Sequence, residues 1–247
     1  MVGMITDVGN VRKINEDYLS YSLEGQNSIY VVADGMGGHN AGEVASKMAV
    51  ETIIESIKNK DAKATKEDLI NAIKKANERI YQYSLSSTNL RGMGTTVTAC
   101  LIDDNTRAWV ANVGDSSCYI IKKDNIYKIT KDHSLVQELL DDGSITEKEA
   151  LTHPNKNIIT RAVGTYSEVK VDIYELDLTE GIEHIILCTD GLTNEVSKEE
   201  IYNAVKEHKD YMVICENLID LAKQRSARDN ISFMIFGGDY YDWNYSR

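Results

Sequence analysis

The stretch SIYVVADGMGG, residues 28–38, opens with a β-branched and aromatic run and stops at Asp34, where it breaks into Asp-Gly and further glycines. An apolar run closed by a turn signal reads as a buried strand that delivers its last side chain, Asp34, to the strand end. Gly35 follows, and a residue without Cβ lets its own carbonyl approach another group closely. Beyond this stretch, Gly42–Lys58 places Ala45, Met48, Ala49, Thr52, Ile53 and Ile57 on one helical face. Thr65-Lys-Glu-Asp68 resembles a capping box, and Leu69, Ile73, Ala76, Ile80 and Tyr83 form the stripe of a second helix behind it.

Strands are expected near Thr95–Ile102, Ala108–Val113, Cys118–Lys122 and Ile126–Ile129, with short polar connections, as in a meander. Short helices follow near Leu135–Leu140 and Thr146–Ala150, then strands at Val171–Leu176 and Glu183–Thr189. Ser197-Lys-Glu-Glu200 caps another helix, Tyr211–Arg225 forms one more, and Ile231–Phe236 closes as a strand. This order is not a strict strand–helix alternation, so a Rossmann sheet is disfavoured and antiparallel sheets with segregated helices, an α+β chain, fit better. No repeat, low-complexity stretch or linker divides residues 1–247, which are read as one domain.

A chain of 247 residues buries roughly 70–75% of its unfolded surface and needs no staples. Cys100, Cys118, Cys188 and Cys215 form no CxxC pair and are read as packed, free thiols. The N-terminal MVGMITDVGN has no signal-like apolar core, and no apolar run approaches the ~20 residues of a membrane span, so a cytoplasmic protein is expected. The net charge of −12 argues against a nucleic-acid partner, whose binding rests on neutralising phosphates.

Four aspartates lie at or beside expected strand ends: Asp34 in VADGMGG, Asp115 in NVGDSS, Asp190 in LCTDGLTN and Asp229 in ARDNIS. A fifth, Asp17, ends TDVGNVRKINED. Any one of them alone is a turn residue first. Five together can converge on one edge of a β core, where hard cations such as Mg²⁺ and Mn²⁺ favour carboxylate oxygens and retain several waters.

The ordered motifs TDVGNVRKINED, VADGMGGHNAGEVAS, GMGTTV, ANVGDS, DHSLVQELLDDGSIT, HPNKNIITRAVG, LCTDGLTNEV and RDNIS resemble the metal-dependent protein phosphatases of type 2C, in their bacterial single-domain branch. The likeness runs from about Thr6 to Phe236. It implies an α/β/β/α sandwich of two mixed, mostly antiparallel sheets flanked by helix pairs. It implies hydrolysis of phosphoserine and phosphothreonine in proteins through a metal-bridging water, with two Mn²⁺ or Mg²⁺ ions per site and a third in some members.

By the same resemblance Asp34 bridges two metals, Asp190 and Asp229 complete the first, and Asp17 with the Gly35 carbonyl holds the second, with Glu16 close by. Asp115 and Asp190 hold the third, and Arg12 grips the substrate phosphate with its planar fork. Residues 133–165, which include Arg161 and Gly164, resemble the flap beside the site in bacterial members. Relatives of this branch commonly oppose a Ser/Thr kinase, so phosphorylated proteins, a cognate kinase among them, are the expected partners.

Two departures stand out. Many eukaryotic relatives carry a general-acid His where this chain has Met36, and His39 or a metal-held water is left to protonate the leaving group. GDSS replaces the common GDSR, with Ser117 for the arginine. The rival functions are a phosphomonoesterase for small metabolites or nucleotides and a phosphoprotein-binding pseudophosphatase. No GxxxxGK[ST] or GxGxxG loop supports a nucleotide site. The full set of five aspartates and Arg12 opposes the pseudophosphatase.

Overall fold

The computed structural model describes residues 1–24, 26–37, 41–60, 62–103 and 106–237. Its strands are β1 (Val2–Asp7), β2 (Asp17–Ser22), β3 (Ser28–Met36), β4 (Gly94–Thr95), β5 (Val97–Asp103), β6 (Arg107–Val113), β7 (Ser117–Lys122), β8 (Asn125–Lys128), β9 (Asp172–Asp177), β10 (Ile182–Cys188) and β11 (Ile231–Gly237). Its helices are α1 (Ala41–Lys58), α2 (Lys66–Ser84), α3 (Leu135–Asp141), α4 (Glu147–Leu151), α5 (Asp190–Thr193), α6 (Lys198–Glu207) and α7 (Tyr211–Gln224). One sheet runs β1-β11-β10-β7-β8 and the other β2-β3-β5-β6-β9, with β4 on β3. Every described strand pair is antiparallel, so the expected two-sheet sandwich is present without the mixed pairing.

Alternation along each central strand builds the four layers. Ile29, Val31 and Ala33 of β3 pack with Ala45, Ala49 and Ile53 of α1 and with Leu69 and Ile73 of α2. Tyr30 and Val32, pointing the other way, meet Ile185, Leu187, Met234 and Phe236 of the opposite sheet. Phe233 and Ile235 face Ile214, Leu218 and Ile219 of α7. Because both faces of these strands are covered, they read as continuous apolar runs. Each fully buried Ile, Val or Phe stabilises the fold by about 1.5–3 kcal/mol, so the sandwich does not depend on charges at its rim.

Thr65 caps α2 and Ser197 caps α6 through reciprocal capping boxes, as their sequences predict. The four cysteines are buried and free, and burial pushes the Cys188 thiol up to about 12, which fits packed side chains and no thiolate chemistry.

The expected meander is split. β5 and β6 form a hairpin in one sheet, and β7 and β8 form a hairpin in the other. Between them the chain crosses the sandwich at Gly114, whose φ of +109° is poorly suited to a side chain and whose missing Cβ would stand 2.5 Å from Thr96. That crossover, rather than a hairpin turn, carries Asp115. β1 and β2 were not expected from the sequence, because both are edge strands with mostly half-buried faces and no apolar run.

Candidate active site

One end of the sandwich collects the acidic turns. β2 begins at Asp17 directly opposite Asp34, near the end of β3, and the two are Cα partners in the ladder. In the other sheet β10 ends at Cys188, which pairs with Ser117 at the start of β7 and with Phe233 of β11. Asp190 therefore leaves β10, Asp229 enters β11 and Asp115 precedes β7, all at that same edge. The carboxylates lie close enough that Asp34 experiences the charges of Asp17, Asp190, Asp115 and Asp229.

The backbone around Asp34 is fixed on both sides. Its N–H donates to Thr96 Oγ1 (2.9 Å), and its carbonyl accepts from Thr95 Oγ1 and the Thr96 N–H (both 2.8 Å). Gly35 is pressed between α1 and the Glu16 loop: a Cβ there would meet Gly42 O at 2.2 Å and Glu16 O at 2.5 Å. Glu16 is tied to the start of α1, with Gly42 packed on its Oε1 and Ser46 Oγ donating to its carbonyl at 2.6 Å. The carboxylate at Glu16 thus closes a helix N-terminus beside the cluster.

Electrostatics show what the cluster lacks. Burial, with repulsion from the other acids, pushes Asp17 up to about 7 and Asp115 up to about 8, and raises Asp34 and Asp190 as well. Asp190 Oδ2 accepts from Asn194 Nδ2 at 3.0 Å. Asp17 Oδ1, Asp115 Oδ1 and Asp190 Oδ1 are buried with no hydrogen-bond partner. Orphaned anionic oxygens of this kind are costly unless a cation meets them.

An oxygen-only donor set of this charge fits Mg²⁺ or Mn²⁺. Among the described residues no three acidic, His or Cys side chains close around a single point as a finished cage. This is compatible with such ions, which keep several waters and so need no cage closed by side chains alone.

The raised acids make a prediction for the protein in chelator. A carboxyl whose folded pKa exceeds its unfolded value holds its proton more tightly when folded, so stability falls as pH rises towards that folded pKa. His133 and His184, lowered by burial, act oppositely at lower pH. The clean window therefore lies between the ordinary His value of about 6.5 and the Asp115 value of about 8. Melting temperature in chelator should fall across that window. The slope should flatten in Asp115→Asn and with saturating Mn²⁺. A flat wild-type profile in chelator would contradict the crowding.

Arg12 reaches the cluster from the 8–16 loop. Its Nη2 donates to Asp229 Oδ2 at 2.8 Å, its Nη1 lies 3.8 Å from Glu16 Oε2, and its side chain is 47% exposed. In this structure it is thus an ion-pair partner of Asp229, with much of its fork still open to solvent.

The loop itself is anchored by Asn230, a residue the sequence reading passed over. Asn230 Nδ2 donates to the carbonyls of Val8 and Ile14 (both 3.0 Å), and its Oδ1 accepts the Glu16 N–H (2.8 Å). The Asn of RDNIS was its only signal in the sequence.

His39 lies outside the described residues. Met36 pairs with Gly94 at the end of β3. Ser117 is buried and shares its face of β7 with Tyr119 and Ile121, so it looks towards the α6/α7 layer rather than into the site.

The 133–165 segment carries α3 and α4 and is bound to the site's edge. His133 Nδ1 accepts from Gly114 N–H at 3.0 Å, and Arg161 donates to Asp172 at 2.8 Å. Gly164 N–H donates to Asn77 of α2 at 2.7 Å. A groove of about 360 Å³ runs from Asp115 and Asp190 along this segment, past Val136, Leu140 and Lys156.

Residues 10–231 match the family model described as Protein phosphatase 2C. The serine/threonine phosphatase stp of Listeria monocytogenes is 37% identical over 239 residues, covering 95% of this chain and 94% of its own. Protein phosphatase PhpP of Streptococcus pneumoniae is 35% identical over 243 residues, covering 95% and 96%. The crystal structure of serine/threonine phosphatase Stp1 from Staphylococcus aureus superposes with a TM-score of 0.90 at 34% identity, over 96% of this chain and 94% of that one. With the layered sandwich, the acidic edge and these likenesses together, the chain belongs to the protein phosphatase 2C family.

Proposed function

We propose that this chain, a protein serine/threonine phosphatase by its family, removes phosphate from phosphoserine and phosphothreonine at the acidic edge of the sandwich, in the cytoplasm, acting through two Mn²⁺ or Mg²⁺ ions with room for a third. The observation that carries this reading is the convergence of five aspartates, three of which, Asp17, Asp115 and Asp190, each bury an oxygen with no hydrogen-bond partner. Asp34 would bridge, Asp190 and Asp229 would hold one ion, and Asp17 with the Gly35 carbonyl the other. Asp115 with Asp190 would serve the third. Bound there, the ions supply Lewis acidity towards the phosphoryl oxygens and activate the attacking water.

The chain's own groups supply positioning. Glu16 and Asn230 hold the loop that aims Arg12. Arg12 exchanges Asp229 for two oxygens of the phosphate and orients the monoester. Residues 133–165, read with the sandwich as one domain, wall the groove that receives the flanking peptide.

Arg12→Ala should raise KM for a phosphothreonine peptide, with a fall in kcat/KM of about ten- to a hundredfold, the range for a hydrogen bond to a charged group. Mn²⁺ affinity should not fall, since a guanidinium ligates no cation and its removal frees Asp229. Asp17→Ala should show the reverse, with Mn²⁺ affinity as the first loss. Calorimetry beside peptide kinetics reads both, and loss of Mn²⁺ affinity in Arg12→Ala with KM spared would overturn the phosphate role.

The substrate reading is tested by incubating the protein with a phosphorylated Ser/Thr kinase domain, with and without Mn²⁺. Label should leave phosphothreonine only with Mn²⁺ and faster, per kcat/KM, than from sugar phosphates or nucleotides. Equal or better hydrolysis of the small esters would favour a metabolite phosphatase.

A further inference from the structure

Asp17 sits on β2, yet the hydroxyl that holds it comes from Thr189, at the end of β10 in the opposite sheet. Thr189 Oγ1 donates to Asp17 Oδ2 at 2.9 Å, and the same oxygen accepts the Ser232 N–H at 3.0 Å. A hydroxyl has one hydrogen, so with its lone pair engaged by Ser232 the Thr189 proton is committed to Asp17.

A second path closes a ring. Asp17 N–H donates to Asn15 Oδ1 (3.1 Å), and Asn15 Nδ2 donates to Thr6 Oγ1 (2.8 Å). Thr6 Oγ1 lies 2.8 Å from Ser232 Oγ, and the Ser232 hydroxyl also bears on the Asp17 carboxylate. Ser232 also donates its N–H to Thr189 Oγ1, so the path from Asn15 through Thr6 returns to Asp17 by way of Thr189.

Thr189 and Ser232 are fully buried, and Asp17 is 5% exposed. Asp17 Oδ1, in contrast, is buried with no partner beside Asp190 and Asp229. One carboxylate oxygen is tied to the fold while the other is presented to the acidic cluster. A ring that served only to satisfy a buried acid would leave neither oxygen orphaned.

We infer that Thr189 and Ser232, with Thr6 and Asn15 behind Ser232, are positioning residues that lock the Asp17 carboxylate in the orientation in which Oδ1 meets a divalent cation. The inference rests on the reading of Asp17 as a cation ligand. In this arrangement the hydroxyls of one sheet set the geometry of a ligand on the other, so cation binding also clamps the two sheets together at this end.

The test is Mn²⁺ calorimetry on the full chain, with melting temperature in chelator as the control for folding. Thr189→Val keeps the shape and removes the donor, and should weaken the Asp17-held Mn²⁺ site by about ten- to a hundredfold. Thr189→Ser should restore most of that affinity. At saturating Mn²⁺ the KM for a phosphothreonine peptide should stay near wild type. Asn15→Ala breaks the ring from its exposed end and should weaken Mn²⁺ binding in the same direction by a smaller factor.

Wild-type Mn²⁺ affinity in a folded Thr189→Val overturns the inference, as does a Thr189→Ser no better than the valine. If Thr189→Val does not fold, unchanged Mn²⁺ affinity in Asn15→Ala overturns it. An Asp17→Ala variant separates the two levels. If it binds Mn²⁺ like wild type, the ligand reading fails and takes the inference with it. If it loses Mn²⁺ while Thr189→Val does not, the inference alone fails.

Discussion

Asp34→Asn should lower turnover on a phosphothreonine peptide by about a thousandfold or more, with the protein still folded. Loss of a single preorganised electrostatic group costs about a hundred- to a thousandfold in well-studied active sites. Asp34 stands to lose more, because its charge is proposed to serve two cations at once. Asn keeps the side chain's shape. The backbone bonds that hold this strand end, to Thr95 and Thr96, do not involve the carboxylate. The core that stabilises β3 is apolar on both faces.

Stability gives a second, signed readout of the same variant. The Asp34 carboxyl is raised well above its ordinary value, chiefly by burial and then by the charges of four other aspartates. Removing a charge from such a set relieves repulsion, so in chelator Asp34→Asn should melt no lower than wild type at neutral pH or above. A variant that is inactive because it is unfolded fails this check. A folded variant with near-wild-type turnover at saturating Mn²⁺ would reduce Asp34 to a turn residue. Asp190→Asn should follow the same pattern, since its charge bears on Asp34 and it has its own orphaned oxygen.

Chelation should abolish activity outright, and Mn²⁺ or Mg²⁺ should restore it. Phosphate monoester hydrolysis is among the slowest uncatalysed reactions, with enzymes reaching accelerations of up to ~10²¹. The four cysteines are buried in the core, away from this edge, and the His133 ring is engaged by Gly114 and Asp172. None of these is an activated nucleophile in reach. Phosphate release measured over a series of chelator-buffered Mn²⁺ concentrations should rise from background to a plateau. Release at full rate in excess chelator would refute metal dependence.

The strands that carry Asp34 and Asp190 were legible in the sequence because both faces are covered, and an unbroken apolar run followed by Asp-Gly leaves little choice of structure. β1 and β2 were not legible, since an edge strand with half-buried faces has no such run. Asp17 was therefore found through its motif rather than through its strand. The sheet change at Gly114 was hidden for another reason. A short polar connection looks the same whether it closes a hairpin or crosses a sandwich, and the difference lies in which partner covers each face.

Arg12 was expected at the phosphate, and the structure adds its contact with Asp229. Asn230 and Thr189 escaped notice because their roles are set by partners far away in sequence. Asn230 reaches Val8 and Ile14, and Thr189 reaches Asp17.

The central claim is that the acidic edge is a cation site built around Asp34. The most direct measurement is a calorimetric titration of Mn²⁺ into wild type and Asp34→Asn, each shown to be folded. Wild type should take up at least two ions per chain, and Asp34→Asn should lose the tight phase altogether. Equal stoichiometry and affinity in the two proteins would contradict the account.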